Sequence, residues 1–325
     1  MKVAHWTMYN KSGMNRVAES ISKAECELGV DSHICDIQST VDFPNMLDCD
    51  IHVSHTHFPD AIKKQLTRPL KLVWVGHGTP EHVFQSAVEA GAGDRYGHGD
   101  SWMLIQHWLQ TADALVTFWS RHQAIWKSLC DKNTIVDLVQ LGVDKTFWKK
   151  QPSRGKFAGD PSLFTSENAH YIKWPLDLFI LWPWVYPYVK GNACLHAAYL
   201  PRDVHRWFFP LVNRNGASYA SHITPITFSH EDLVNTLNSV DYYIGLVRYG
   251  DFNRMSLEAN ASGTKTISYE GNIYSDFWVT EGDQREIANR LIRILNNEVE
   301  PRIKEPVPDI IDTAKAMIKI YERIL

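Results

Sequence analysis

Residues 248–271 read RYGDFNRMSLEANASGTKTISYEG. The residues just before them, Tyr242, Tyr243, Ile244, Gly245 and Leu246, form a short apolar run of strand type. Gly250, Asp251 and Asn253 follow, residue types that tolerate the backbone angles of a tight turn. A helix is then expected to start near Asn253 and to carry Met255, Leu257 and Ala261 inward. Gly263 is placed to end it as a C-cap glycine, and 264–269 reads as the next strand. A turn that delivers the chain from a parallel strand to a helix N-terminus leaves backbone N–H groups and a positive dipole end available, an arrangement that suits a diphosphate. Glu258, one turn into the helix, is within reach of a nucleotide ribose. Strand–turn–helix units that bind nothing are also common, so on this stretch alone both readings stand.

Working outward, 325 residues suffice for two domains of ordinary size or one large one. A hydrophobic content of 44% and a charged content of 22% describe a globular chain with ample core. The net charge of −4 leaves no overall basic footprint for nucleic acid. Five cysteines at 26, 35, 49, 130 and 194 are odd in number and lack any C-x-x-C spacing, as expected of reduced thiols in a cytoplasmic protein. The N-terminus enters a strand-like run without a charged-then-apolar leader. The most apolar run, 174–189, is too short for a transmembrane segment and holds Asp177 and three prolines.

The first half alternates strand and helix signals: a strand over 2–8, a helix over 15–28 with Val17, Ile21, Ala24 and Leu28 on one side, and strands over 31–37, 49–54 and 71–75. The opening unit has a single turn glycine, Gly13, and so lacks the dinucleotide fingerprint. His55 and His57 share a strand face, but no third ligand of suitable spacing accompanies them, so no metal is expected. His77 ends a buried strand, at the edge where open α/β sheets place ligands. The glycine-rich segment 91–99 lacks the ending of a phosphate loop. Polar residues 151–160 read as a linker, followed by strands over 161–168, 196–200 and 221–228, a helix over 233–240, a loop after Gly271, and helices over 283–296 and 310–325.

The 248–271 stretch resembles the signature of the retaining nucleotide-sugar glycosyltransferases of the GT-B fold, glycosyltransferase family 4. That signature is E-G-F-G, three residues, L-E, then A-x-A-x-G and a strand. Phe252, Leu257, Glu258, Ala259, Ala261 and Gly263 match it, whereas the family's first Glu falls on Gly250 and its Gly on Asp251. The catalytic carboxylate has therefore either moved to Asp251 or been lost. The ordered tract from Ala112 to Phe147 is similar to the segment that closes the family's first domain. The resemblance places Gly13 at the first loop and His77 beside the transferred sugar. Ile223 and Phe228 fall where the base is held, and Asn253, Arg254, Met255 and Ser256 lie along the donor-binding helix start. In the family an Arg and a Lys five residues later grip the diphosphate; here they are Asn168 and Lys173. Arg202, Arg248 and Arg254 remain open as the missing cation.

The resemblance implies two Rossmann-like doubly wound α/β domains facing a cleft: 1–150 on the acceptor side, 151–308 for the nucleotide-sugar, and a helix at 309–325 crossing back to the first. It implies a retaining transfer from a nucleotide-diphospho-sugar, with His77, Lys173, Asp251 and Glu258 as catalytic residues, no cofactor and no metal. A saccharide or glycan is the expected acceptor. The departures from the signature, together with the compact length, also resemble virus-encoded members that glycosylate modified bases in DNA. A protein that holds a nucleotide-sugar without turnover is the other alternative.

Overall fold

The computed structural model describes residues 1–7, 13–37, 46–55, 60–77, 109–152, 155–166, 177–198, 223–226, 230–247 and 254–325. The chain divides into two compact units, Met1–Asp144 with Pro308–Leu325, and Lys145–Val307.

The first unit opens with β1 (Lys2–Thr7), α1 (Gly13–Glu27), β2 (Asp31–Asp36), β3 (Ile51–Ser54) and the short α2 (Asp60–Lys63). It continues with β4 (Leu72–Gly76), β5 (Ala114–Thr117), α3 (Ser120–Leu129) and β6 (Ile135–Leu138). Its six strands are parallel, in the order β2-β1-β3-β4-β5-β6. The central strands are buried on both faces, which is why they read as nearly unbroken apolar runs. Side chains alternate across the sheet. Ala4 and Trp6 join Trp74, Leu115 and Trp126 in one core layer, and His5 and Thr7 therefore face the other way. Helix α1 starts two residues before the expected position, and Leu28 lies beyond its end, 38% exposed rather than on the apolar side. The chain leaves the helix there because Gly29 takes φ 85°, and Val30 N–H donates to the Glu25 carbonyl.

The second unit contains β7 (Ser162–Thr165), α4 (Asp177–Val185), a 3-10 turn (Tyr186–Tyr188), β8 (Cys194–Ala197), β9 (Ile223–Pro225) and α5 (His230–Asn238). After them come β10 (Tyr242–Gly245), α6 (Arg254–Ala261), β11 (Lys265–Tyr269), β12 (Phe277–Val279) and α7 (Gln284–Leu295). This sheet is also parallel, ordered β12-β11-β10-β7-β8-β9. Strand order reverses between β7 and β10, so the crevice beyond their C-terminal ends is the topological switch point where such sheets receive ligands. Strand β12 replaces part of the loop expected after Gly271. Three residues at a sheet edge are too few to show a period, although Phe277 and Val279 are buried. Strand β8 begins at Cys194, two residues before the expected start. Leu178, Phe179, Leu181 and Trp182 of α4 join Leu291 and Ile294 of α7 in the core, which explains the density of large apolar residues in the tryptophan-rich run. Asp283 caps α7 by accepting from the Arg285 and Glu286 N–H groups.

The last helix, α8 (Ile310–Ile324), returns to the first unit and packs on α1. Val143 pairs with Asp309 just before it. Gly142 N–H donates to Thr313 Oγ1 at 2.8 Å, and Thr313 Oγ1 donates to the Gln140 carbonyl at 2.8 Å. Arg323 pairs with Asp137. All five cysteines are free thiols. Among the described residues, no helix is long and apolar enough to cross a membrane.

Candidate functional site

In the first unit the register decides which side chains meet. His5 lies opposite Val53, and Ser54 lies opposite Trp74. His5, His55 and His77 therefore share one face, each two residues further along its strand than the last, in a diagonal across β1, β3 and β4. His5 Nδ1 is 2.9 Å from His55 Nε2, and His55 Nδ1 is 2.8 Å from His77 Nε2. His5 Nε2 lies 2.8 Å from Glu25 Oε2, and both side chains are wholly buried. Ser32 Oγ donates to Glu25 Oε2 and Tyr321 Oη to Glu25 Oε1, each at 2.7 Å.

A buried carboxylate is tolerated when such donors replace its water. Burial alone would raise the Glu25 carboxyl, but the charge and hydrogen bond of His5 and the hydrogen bonds of Ser32 and Tyr321 hold it below its ordinary value. Burial, then the neighbouring imidazoles of His77 and His5, push His55 well below the ordinary histidine value. Burial and Glu25 push the Tyr321 phenol well above its own. The line ends at half-buried His77, whose ring meets the edge of Phe118 with centroids 5.8 Å apart. Thr7, at the end of β1, donates to Asn15 in the first turn of α1 at 2.7 Å. Among the described residues, nothing lies within 4 Å of where a Cβ on Gly13 would project.

In the second unit α6 follows β10 at the switch point. Its C-terminus is set by Gly263 (φ 83°), with the Thr264 N–H bonding back to the Ala259 carbonyl. Glu258 is buried, and its Oε1 lies 2.8 Å from Arg254 Nε one turn earlier. The structure thus brings these two expected site residues together as an ion pair. Ser256 and Leu257 are fully buried, while Met255 is half-buried. The Ser256 hydroxyl has no hydrogen-bond partner among the described residues. Ser166, at the end of β7, lies 2.9 Å from the Tyr243 hydroxyl of β10. Ile223 is half-buried on β9, separated from β10 by β8 and β7. Lys173, Asn168, Phe228, Asp251, Phe252 and Asn253 lie outside the described residues, as do His57, Arg202 and Arg248. Among the described residues, no group of three or more His, Cys, Asp or Glu could hold a metal ion. A polar hollow of about 510 Å³, lined by Lys190, Asp241, Lys265 and Asn296, sits at the opposite, N-terminal edge of this sheet.

Sequence reading did not find His5, Glu25 or Tyr321. The available signal was Glu25 itself, a carboxylate on the face that Ile21 and Ala24 define as buried.

The sequence matches no family model and no curated protein. Solved structures resemble it over its whole length. Sucrose-phosphate synthase from Thermosynechococcus elongatus aligns with a TM-score of 0.69 at 13% identity, covering 100% of this chain and 99% of that one. Trehalose-6-phosphate synthase OtsA aligns at 0.68 and 11% identity, covering 100% of both. Anabaena HepE in complex with UDP-glucose aligns at 0.67 and 12% identity, covering 100% of this chain and 98% of that one. At such identities the likeness is one of fold, and together with the two parallel six-stranded sheets it assigns this chain the GT-B architecture.

Proposed function

We propose that the protein is a retaining glycosyltransferase that moves a hexosyl group from a nucleotide-diphospho-sugar to a saccharide or glycan. The observation that carries this reading is α6 at the switch point of the second sheet, with Glu258 buried and held by Arg254. In this reading Glu258 takes the ribose, and the α6 N-terminus together with Lys173 takes the diphosphate. Their positive charge favours departure of the nucleotide as negative charge grows on it. The leaving phosphate helps deprotonate the acceptor, and His77 engages a sugar hydroxyl. Full-length likeness to a structure that holds UDP-glucose supports a nucleotide-sugar donor. Asp251 stands where a displaced family carboxylate would be. A family 4 assignment is the closest reading of the signature.

The test is a thermal-shift and calorimetric screen against UDP-, GDP-, ADP- and dTDP-sugars, with donor hydrolysis followed in the same samples. One nucleotide class is expected to stabilise the fold by mass action and to be hydrolysed slowly. Binding without hydrolysis or transfer to any saccharide would favour a nucleotide-sugar-binding protein, and transfer to modified DNA would replace the acceptor. No binding at all would overturn the reading. Asp251→Ala is expected to lower turnover more than donor affinity; unchanged kinetics remove that residue from the mechanism.

A further inference from the structure

The polar hollow at the N-terminal edge of the second sheet plays no part in the proposed transfer, yet its walls are fixed on several sides. They come from the starts of β7, β10 and β11 and from the end of α7. Asp241 accepts from the Ser162 N–H at 2.8 Å and from the Ser162 hydroxyl at 3.0 Å. Asn296 Oδ1 accepts from the Lys190 N–H at 2.6 Å, and its Nδ2 donates to the Tyr188 carbonyl at 3.1 Å. Asn297 takes φ 58° where α7 ends, and the Glu298 N–H bonds back to the Arg293 carbonyl at 2.8 Å. A Cβ on Gly191 would strike the Asp160 carbonyl, so glycine alone lets the wall close there. The volume of about 510 Å³ falls within the ~300–1,000 Å³ of small-molecule sites.

Three groups on these walls hold bonding capacity that the fold leaves unused. The Lys265 ammonium lies over the Tyr242 ring, 5.5 Å from its centroid, and among the described residues no carboxylate pairs with it. Asn297 Oδ1 accepts from the Tyr242 hydroxyl at 3.3 Å, while its Nδ2 has no partner among the described residues. Asp160 Oδ1 is 3.9 Å from Lys156, whose closer partner is Asp241 at 3.3 Å, and Asp160 Oδ2 has none among the described residues. Charge then selects the ligand class. Asp160 and Asp241 line the same hollow as Lys190 and Lys265. Burial would raise the Asp241 carboxyl, but the hydrogen bonds of Ser162 and Lys156 and the charge of Lys156 hold it below its ordinary value, so it stands as an anion. An anionic ligand would meet two carboxylates, and a cationic one two ammoniums. A neutral hydroxyl donates to a carboxylate and accepts from an ammonium or an amide N–H. A ring that carries several hydroxyls around C–H faces uses all of these groups, with Leu295 and Pro161 as apolar contacts. Tyr188, held at the rim through its carbonyl, is 69% exposed and leaves an aromatic ring available to a second sugar.

We propose that this hollow is a saccharide-binding site, separate from the sheet edge that takes the nucleotide-sugar in the proposed function, and that it holds a neutral sugar ring through Asp160, Lys265 and Asn297. Such a site does not depend on the transferase reading. To test it, the full 15N-labelled chain is titrated with maltose, cellobiose, lactose and sucrose to ~50 mM, with glycine and inorganic phosphate as probes of a zwitterion and an anion. At least one disaccharide is expected to shift the amide signals of Gly191, Lys265, Asn296 and Asn297 together and saturably, with a Kd on the order of 1–10 mM. Lys265→Met and Asn297→Gly should each weaken that binding about three- to tenfold, the worth of one hydrogen bond. Glycine readily takes the φ of Asn297, so this variant keeps the fold. Both variants should leave the response to nucleotide-sugars as it is in wild type. No saturable shift at these residues with any saccharide would overturn the proposal. So would saturation by glycine or phosphate in place of the saccharides, or saccharide binding that neither variant weakens. Failure of every nucleotide-sugar to bind would remove the transferase reading and leave this outcome untouched.

Discussion

Acidification should destabilise the first unit through His52, and the effect can be separated from that of the histidine line. His52 is buried on β3, and its Nδ1 accepts a hydrogen bond from Trp6 Nε1 at 3.0 Å. Protonating Nδ1 would remove that acceptor and place a charge in the core. Burial accordingly pushes the imidazole down to about 4 from an ordinary value of 6.5. The unfolded chain therefore binds a proton below pH 6.5 that the folded chain refuses until about pH 4. The folded value lies below the unfolded one, so this contribution is complete above 6.5 and declines as pH falls toward 4. The linkage relation gives a loss of about 2 kcal/mol at pH ~5 relative to neutral pH. Urea unfolding of wild type and His52→Gln at both pH values measures it. Glutamine keeps an acceptor for Trp6 but does not titrate. His52 lies on the opposite sheet face from His5 and His55, by the alternation along β1 and β3. Their contribution to acid sensitivity should therefore cancel in the comparison. The variant should lose about 2 kcal/mol less than wild type on acidification. Equal losses in both proteins would refute the argument.

Three further outcomes are expected. Tyr321→Phe removes the donor to Glu25 Oε1 in a site without water access and should cost about 1–3 kcal/mol in urea unfolding. Gly142→Ala would drive a methyl group into the Asp309 carbonyl, where the chain enters α8; a loss of about 1–3 kcal/mol is expected, and wild-type stability would show that this approach is not tight. Glu258→Ala and Lys173→Ala should each weaken nucleotide-sugar binding by about ten- to a hundredfold in calorimetry, the usual worth of a hydrogen bond to a charged group. Unchanged affinity in both would take them out of the proposed donor site.

Much of the fold was legible in the chain because its signals are local. The 248–271 stretch was read as turn, helix, C-cap glycine and strand, and α6, Gly263 and β11 occupy those places. The helices read over 283–296 and 310–325 are α7 and α8. What escaped was either too short for a period, such as β12, or carried by residues that local pattern treats as errors. Glu25 is the one charged residue on the buried face of α1, and His5 interrupts a largely apolar strand. Neither has meaning until the partner is known, and those partners lie 20, 50 and 296 residues away in sequence.

The sequence by itself determined the alternation of strand and helix and the glycines that end helices, because these depend on neighbours within a turn or two. It also carried the residue types at the start of α6. Only the tertiary structure decided the strand orders, the register that sets His5, His55 and His77 on one diagonal, and the return of α8 to place Tyr321 on Glu25. Strand order and register are fixed by burial summed over whole sheets, and a one-residue slip would turn each histidine to the opposite face. The histidine line is therefore a property of the packed sheet and not of any segment within it.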